Sequence, residues 1–301
     1  MRRAGTRTGR CHFRATEVFI SAAFLAFFFL TAADARRQQV QLAEPSPASG
    51  SDLKPVLERA AEYCDRLSRS VLDFVCRERV EEWFYPEART VVFSWFRRST
   101  VFVGRRETHT CTYDYQLIRD RTGSIRENRT LLKEDRKDLR VSDAPLKTRL
   151  FWHAYVVMGP LGLLSRERQA DHDYRVVREE KAGRERVLVV EAVPKPGVRS
   201  DHLVGTIWLR LNDAGILKIE WNPSSIDNYA GVEETAKRLD MTPRIDLTSE
   251  YAFEKKGIRF PSRYTVKESY TRRNGRRFQR SQTDVLYDQY KFFTVETDVK
   301  F

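Results

Sequence analysis

The sequence predicts a mainly β (α+β) protein: an antiparallel sheet with one dry face, a single N-terminal helix and an apolar inserted lid segment. Three observations carry this. Most of the chain beyond residue 110 alternates apolar and polar residues with period two. Lys256-Gly257 and Asn274-Gly275 punctuate those runs as hairpin turns, where glycine accepts positive φ. Apolar residues spaced by three and four are concentrated near the start, from Val56 to Val71. A chain of 301 residues with 41% hydrophobic content can bury a sizeable core, and 32% charged residues give it a wet surface. That composition excludes a polytopic membrane protein, a collagenous chain and a wholly disordered one.

The N-terminus reads as an address. Arg2, Arg3, Arg7, Arg10 and Arg14 precede an apolar run from Val18 to Ala33, and Ala33-Asp34-Ala35 fits a small-residue cleavage site. This order is that of a secretory signal peptide over residues 1–35. The sixteen-residue run is short of the ~20 residues a spanning helix needs. Arg36 and Arg37 beyond the site make an uncleaved N-terminal membrane anchor the alternative. Residues 36–50, with Pro45, Pro47 and Gly50, read as a flexible tether, leaving residues 51–301 as one β-rich domain.

Ser51 or Asp52 can cap a helix with Pro55 in its first turn. Its stripe is Val56, Leu57, Ala60, Tyr63, Cys64, Leu67 and Val71. Strands follow. Tyr113, Tyr115 and Leu117 share one face, as do Ile207, Leu209 and Leu211; Asn212-Asp213-Ala214-Gly215 then turns into Leu217, Ile219 and Trp221. Leu247, Tyr251 and Phe253 read as one further strand, and Phe293, Val295, Val299 and Phe301 as the last of roughly eleven.

Two stretches break the alternation. Leu150–Leu164, LFWHAYVVMGPLGLL, is apolar nearly all round, which suits either a buried crossover or a lid over an apolar ligand. Ser224–Pro243 is polar with a weak helical pattern through Ile226, Tyr229, Val232 and Leu239.

Three cysteines follow the signal: Cys64, Cys76 and Cys111. In an oxidising compartment they predict one disulfide and one free thiol. Cys64 and Cys76 would lie ~18 Å apart on one continuous helix, but can meet if the helix ends near Leu72 and the chain reverses. That pair is preferred over Cys76–Cys111.

Signatures of catalysis are absent. No H-E-x-x-H, C-x-x-C or G-x-S-x-G occurs, so no enzyme, no metal and no cofactor is expected. Asp171-His172-Asp173 holds ligand types, but on a strand His172 faces away from its neighbours. The net charge of +12 gathers in hairpins, notably Arg272, Arg273, Arg276 and Arg277. Export argues against nucleic acid as the partner of these arginines and for an anionic membrane surface.

Gly205–Trp221 (GTIWLRLNDAGILKIEW), Gly257–Tyr270 (GIRFPSRYTVKESY) and Tyr287–Phe301 (YDQYKFFTVETDVKF) resemble the later strands of LolA-like and LppX-like exported bacterial proteins, the outer-membrane lipoprotein-sorting type. The resemblance is a strand pattern over approximately Phe74–Phe301. It implies a curved, half-open β-barrel that holds lipid or lipoprotein acyl chains on its concave face in the periplasm. The N-terminal helix and Leu150–Leu164 would close the mouth.

Pattern alone supplies the candidate apolar lining: Phe93, Trp95, Tyr113, Tyr115, Phe151, Trp152, Tyr155, Leu163, Trp208 and Trp221. Two other classes compete with the carrier. The apolar alternation ending on Phe301 matches the terminal strand of an outer-membrane β-barrel, and a fully packed interior would make a non-binding envelope scaffold.

Overall fold

The computed structural model describes residues 53–86, 89–94, 97–101, 104–149, 156–198, 203–223 and 229–293. All of these belong to the unit Pro45–Phe301. The expected signal peptide and tether lie outside the described residues, as do Trp95, Phe151, Trp152, Tyr155 and the terminal run 294–301.

Helix α1 (Leu53–Ser70) follows the expected stripe: Val56, Ala60, Tyr63, Cys64 and Leu67 are all buried. Tyr63 pins it to the strand region, because its hydroxyl donates to the Arg259 carbonyl at 3.1 Å and accepts from the Arg259 amide at 2.8 Å. The chain then enters β1 (Phe74–Phe84), β2 (Arg89–Ser94), β3 (Arg97–Val101), β4 (Glu107–Arg119), β5 (Ile125–Glu134) and β6 (Lys137–Val141). A 3-10 turn (Val156–Met158), α2 (Gly159–Leu164) and α3 (Arg166–Asp171) form the described part of the apolar insertion and its exit. Strands β7 (His172–Ala182), β8 (Glu185–Pro194), β9 (Gly205–Arg210) and β10 (Ile216–Trp221) lead to α4 (Tyr229–Leu239). The last strands are β11 (Thr242–Glu250), β12 (Phe253–Lys255), β13 (Ile258–Phe260), β14 (Arg263–Thr271) and β15 (Arg277–Phe292).

Eleven strands form one sheet in the order β6-β5-β4-β1-β15-β14-β11-β10-β9-β8-β7. Every pairing is antiparallel, and β15 returns beside β1 with Val80 opposite Val285. The sheet is curved and open: β6 and β7 are its edges, so the described sheet is not the closed cylinder that a membrane-spanning barrel requires. No helix among the described residues is long and apolar enough to cross a membrane.

Two expectations change in detail. Leu247, Tyr251 and Phe253 do not share one strand; the chain leaves the sheet after Glu250, and Phe253 starts the separate β12–β13 hairpin. That hairpin turns at Lys256 (φ 51°) and Gly257 (φ 72°), both left-handed as a two-residue reversal demands. Ser224–Pro243 contains a true helix, α4, which buries Val232, Ala236 and Leu239.

The expected Cys64–Cys76 disulfide is not formed; Cys64, Cys76 and Cys111 are buried free thiols. Cys64 looks inward from α1 and its sulfur lies 3.7 Å from the Pro160 carbonyl oxygen. Cys76 sits on β1 opposite Tyr115, whereas Cys111 sits opposite Val80, four residues further along β1. At ~3.4 Å per residue that separates the two by about 14 Å, beyond disulfide reach.

Candidate functional site

The core face of the sheet is built by strict alternation. On β4 the buried residues are His109, Cys111, Tyr113, Tyr115 and Leu117, and on β1 they are Phe74, Cys76, Glu78, Val80, Glu82 and Phe84. The face is therefore not uniformly dry. Glu78, Glu82 and Glu268 are buried on it.

Each acid has its partners. Arg129 on β5 grips Glu78 with Nε to Oε2 at 2.5 Å and Nη2 to Oε1 at 3.1 Å, and donates from Nη1 to Glu127 at 3.0 Å. Its guanidinium also lies over the Tyr115 ring at 4.9 Å. Burial pushes the Glu78 carboxyl above the usual carboxylate range, against the pull of Arg129. Glu82 accepts from Thr283 Oγ1 at 2.9 Å and from the Arg149 amide at 2.8 Å. Glu268 accepts from Ser281 Oγ at 2.8 Å, from Arg280 at 2.9 Å and from the Tyr270 hydroxyl.

At the other end the same face is apolar and covered by the insertion. Leu163 and Leu164 are fully buried, each contributing about 1.5–3 kcal/mol on the usual scale for such side chains. Trp221 packs against Gly159, where an added Cβ would come within 2.9 Å of the indole ring. Its Nε1–H donates to Ser249 Oγ at 2.8 Å. Gly162 approaches Leu203 still more closely, an added Cβ meeting Leu203 Cδ1 at 2.5 Å. Backbone carbonyls of the insertion are held from the sheet side: the Tyr251 hydroxyl donates to Val156 O at 3.1 Å and the Tyr174 hydroxyl to Leu163 O. From α3, Gln169 Nε2 bridges Leu57 O at 2.7 Å and Leu164 O at 2.9 Å, tying the insertion to α1.

Of the ten lining candidates, Tyr113, Tyr115 and Trp221 lie on this core face and Leu163 lies in the insertion packed against it. Tyr113 and Tyr115 are fully buried and polar at their tips: the Tyr113 oxygen accepts from the Lys147 amide at 3.0 Å and the Tyr115 hydroxyl donates to Glu127 at 3.1 Å. Trp208 is a correction. It follows Ile207 by one residue and so points through the opposite face, into a small cluster with Val187 and Val189. There its Nε1–H donates to Glu180 at 2.7 Å and Lys218 Nζ sits 3.7 Å above its ring. Phe93 lies in β2, its side chain outside the described part, and Trp95, Phe151, Trp152 and Tyr155 are outside the described residues altogether.

The arginine hairpin is partly neutralised at home. Arg273 pairs with Asp240 at 2.9 Å and Arg277 with Asp246 at 2.8 Å. Arg272 and Arg276 flank the β14–β15 turn, the Arg276 carbonyl accepting from the Arg272 amide at 3.0 Å. Arg273 also borders a cleft of about 600 Å³ between α4 and β11, alongside Lys237 and Asp240. His172, considered for metal binding from sequence, is buried with Nδ1 2.8 Å from Arg168 O and Nε2 2.9 Å from Leu203 O, facing away from Asp171 and Asp173.

No family model matches the chain, and no curated protein matches it. Among solved structures the chain is similar to LolA superfamily and DUF1329 proteins. A DUF1329 family protein from Desulfovibrio piger shares 11% identity at TM-score 0.37, over 83% of this chain and 95% of that one. A LolA superfamily protein from Nitrosomonas europaea shares 13% identity at TM-score 0.33, over 82% and 96%. A domain of the outer-membrane lipoprotein-sorting type from Vibrio parahaemolyticus shares 13% at TM-score 0.34, over 82% and 94%. The last two carry the family name that the strand resemblance in the sequence gives.

What sequence reasoning missed is the charge on the core face. Glu78 and Glu82 stand in phase with Cys76, Val80 and Phe84 on one strand, and Arg129 stands in phase with Leu131 on another. That in-phase placement was the available signal.

Proposed function

We propose that this chain is an exported envelope protein that binds lipid or lipoprotein acyl chains on the core face of its open sheet, without catalysis. One observation carries the reading. The apolar end of an unclosed eleven-stranded sheet is covered by small elements, the apolar segment Val156–Leu164, the buried stripe of α1 and the β12–β13 hairpin, rather than by a second large sheet. Such a cover can move aside as a unit, and each methylene of a chain entering beneath it contributes ~0.8 kcal/mol. Tyr113, Tyr115, Leu163 and Trp221 are then lining residues, and Arg272, Arg273, Arg276 and Arg277 meet anionic headgroups. Export rests on the basic, apolar and small-residue order of residues 1–35.

The test is native mass spectrometry of protein purified from envelopes, paired with lipid extraction. The expected result is a chain carrying acyl-bearing lipid; recovery of empty protein that takes up no acyl chain overturns the proposal.

One observation favours a second reading, an envelope scaffold with a permanently filled core. Gly159 and Gly162 pack the insertion to contact with Trp221 and Leu203. Under that reading the protein stays empty in the same experiment.

A further inference from the structure

His109, Cys111 and Glu134 meet on the core face where β4 and β5 pair. His109 and Cys111 are two apart on β4 and share a face. Glu134 is the direct cross-strand partner of Cys111 on β5. It reaches the core face because of a register shift: Thr112 pairs with Lys133 but Tyr113 with Leu131, so the extra residue Leu132 exchanges the faces beyond it. Without that bulge a lysine would stand where Glu134 stands.

The geometry points to a binding site for a zinc-type divalent ion, with His109 Nε2, Cys111 Sγ and Glu134 Oε1 as ligands. Their donor atoms all lie within 4.8 Å of one another. Nε2 is 3.6 Å from Cys111 Sγ and 3.6 Å from Glu134 Oε1. Bond lengths of about 2.3 Å to sulfur and about 2.0–2.1 Å to nitrogen and oxygen, set at a tetrahedral angle, require separations of about 3.6 Å and about 3.4 Å. The two separations from His109 thus already match an ion's, Cys111 Sγ and Glu134 Oε1 lie within 4.8 Å of each other, and the mixed nitrogen, sulfur and oxygen set suits zinc.

The surroundings match such a site on both sides. Lys147 Nζ holds Glu134 Oε2 at 2.6 Å, which leaves Oε1 turned toward His109. His109 Nδ1 is buried with no hydrogen-bond partner, and the nearest carboxylate, Glu82 Oε2, lies 3.8 Å away. An ion on Nε2 fixes the proton on Nδ1, and a small approach gives it Glu82, the carboxylate that ordinarily orients a metal-bound imidazole. Glu82 is itself anchored by Thr283 and the Arg149 amide. His109 is 4% and Glu134 27% exposed at the side chain, so the site is closed toward the core and entered past Glu134. Three protein donors leave a fourth position for water.

Titration of the reduced full-length protein with Co²⁺, then Zn²⁺, tests this. One equivalent of cobalt is expected, with a sulfur-to-cobalt charge-transfer band that zinc abolishes and that is lost in Cys111→Ser but kept in Cys64→Ser. Glu82→Gln is expected to lower zinc affinity about 10–100-fold. Glu134→Gln, a change at a partly exposed position that leaves the far-ultraviolet spectrum intact, is expected to weaken binding too, and decides the matter should Cys111→Ser fail to fold. Absence of stoichiometric cobalt binding, a sulfur band that survives Cys111→Ser, or zinc affinity untouched by Glu134→Gln overturns the assignment.

Discussion

Arg129 and Glu78 form a two-point ion pair inside the core, the guanidinium 6% and the carboxylate 0% exposed at their side chains. They lie on different strands, β5 and β1, with β4 between them. The pair therefore ties three strands together beneath Tyr115, on a face that alternation alone would make apolar. The cost of burying two charges is met here by geometry, since both carboxylate oxygens are engaged.

Removing one partner leaves the other charge stranded. Arg129→Met and Glu78→Leu are each expected to destabilise the fold by about 3–5 kcal/mol, whereas the double replacement recovers most of that loss. Urea unfolding of the three variants measures this; single variants no less stable than the parent would contradict it.

Cys64 and Cys76 are expected to be unreactive in the folded protein. Burial pushes the Cys64 thiol up to about 12, and raises that of Cys76 as well, so almost no thiolate exists near pH 8. Alkylation without reductant, read by mass and peptide mapping, should modify neither of the two in native protein and all three cysteines after denaturation. A persistent mass deficit of one disulfide after denaturation would restore the bond expected from sequence.

Acid should loosen the β9–β10 turn. Arg210 there is shared by Glu185, Asp213 and Glu254. Burial opposes ionisation of Asp213, yet the Arg210 guanidinium and the Gly215 amide hold its carboxyl below the usual range. A depressed native value means stability that is present above the unfolded value of ~3.9 and is lost as pH falls through the native one. Asp213→Asn should therefore flatten the acid limb of a plot of unfolding midpoint against pH. An unchanged limb would remove Asp213 from the cause.

The insertion should be sensitive to a single methyl. At Gly159 an added Cβ meets the Trp221 ring at 2.9 Å and the Tyr251 hydroxyl at 3.2 Å, both bulky groups held by hydrogen bonds. Gly159→Ala is expected to cost about 1–3 kcal/mol and to raise the rate at which an apolar fluorescent probe enters. At Gly162 the obstacle is the end of the Leu203 side chain, which can turn, so Gly162→Ala should cost less. Equal effects at the two positions would argue against the rigid indole as the stop.

Much of the fold was legible because period two and period 3.6 are properties of apolar letters. The stripe from Val56 to Leu67 located α1, and Tyr113, Tyr115 and Leu117 located the inward face of β4. The same habit hid what mattered chemically. Glu78 and Glu82 alternate with Arg77, Arg79 and Glu81, so β1 reads as polar on both faces until Val80 and Phe84 are placed inward. Trp208 was misassigned by residue type against its own phase, one residue from Ile207. Glu134 could not be placed at all without the Leu132 bulge, which depends on pairing with β4 rather than on local sequence.

Photocrosslinking with a diazirine-bearing acyl chain, followed by peptide mapping, tests acyl binding on the core face most directly. The expected result is labelling concentrated at Leu163, Trp221 and their neighbours under the insertion, and abolished by excess unlabelled lipid. Labelling confined to the exposed apolar residues Leu139, Val141, Val193 and Phe253, or no saturable labelling, would contradict it.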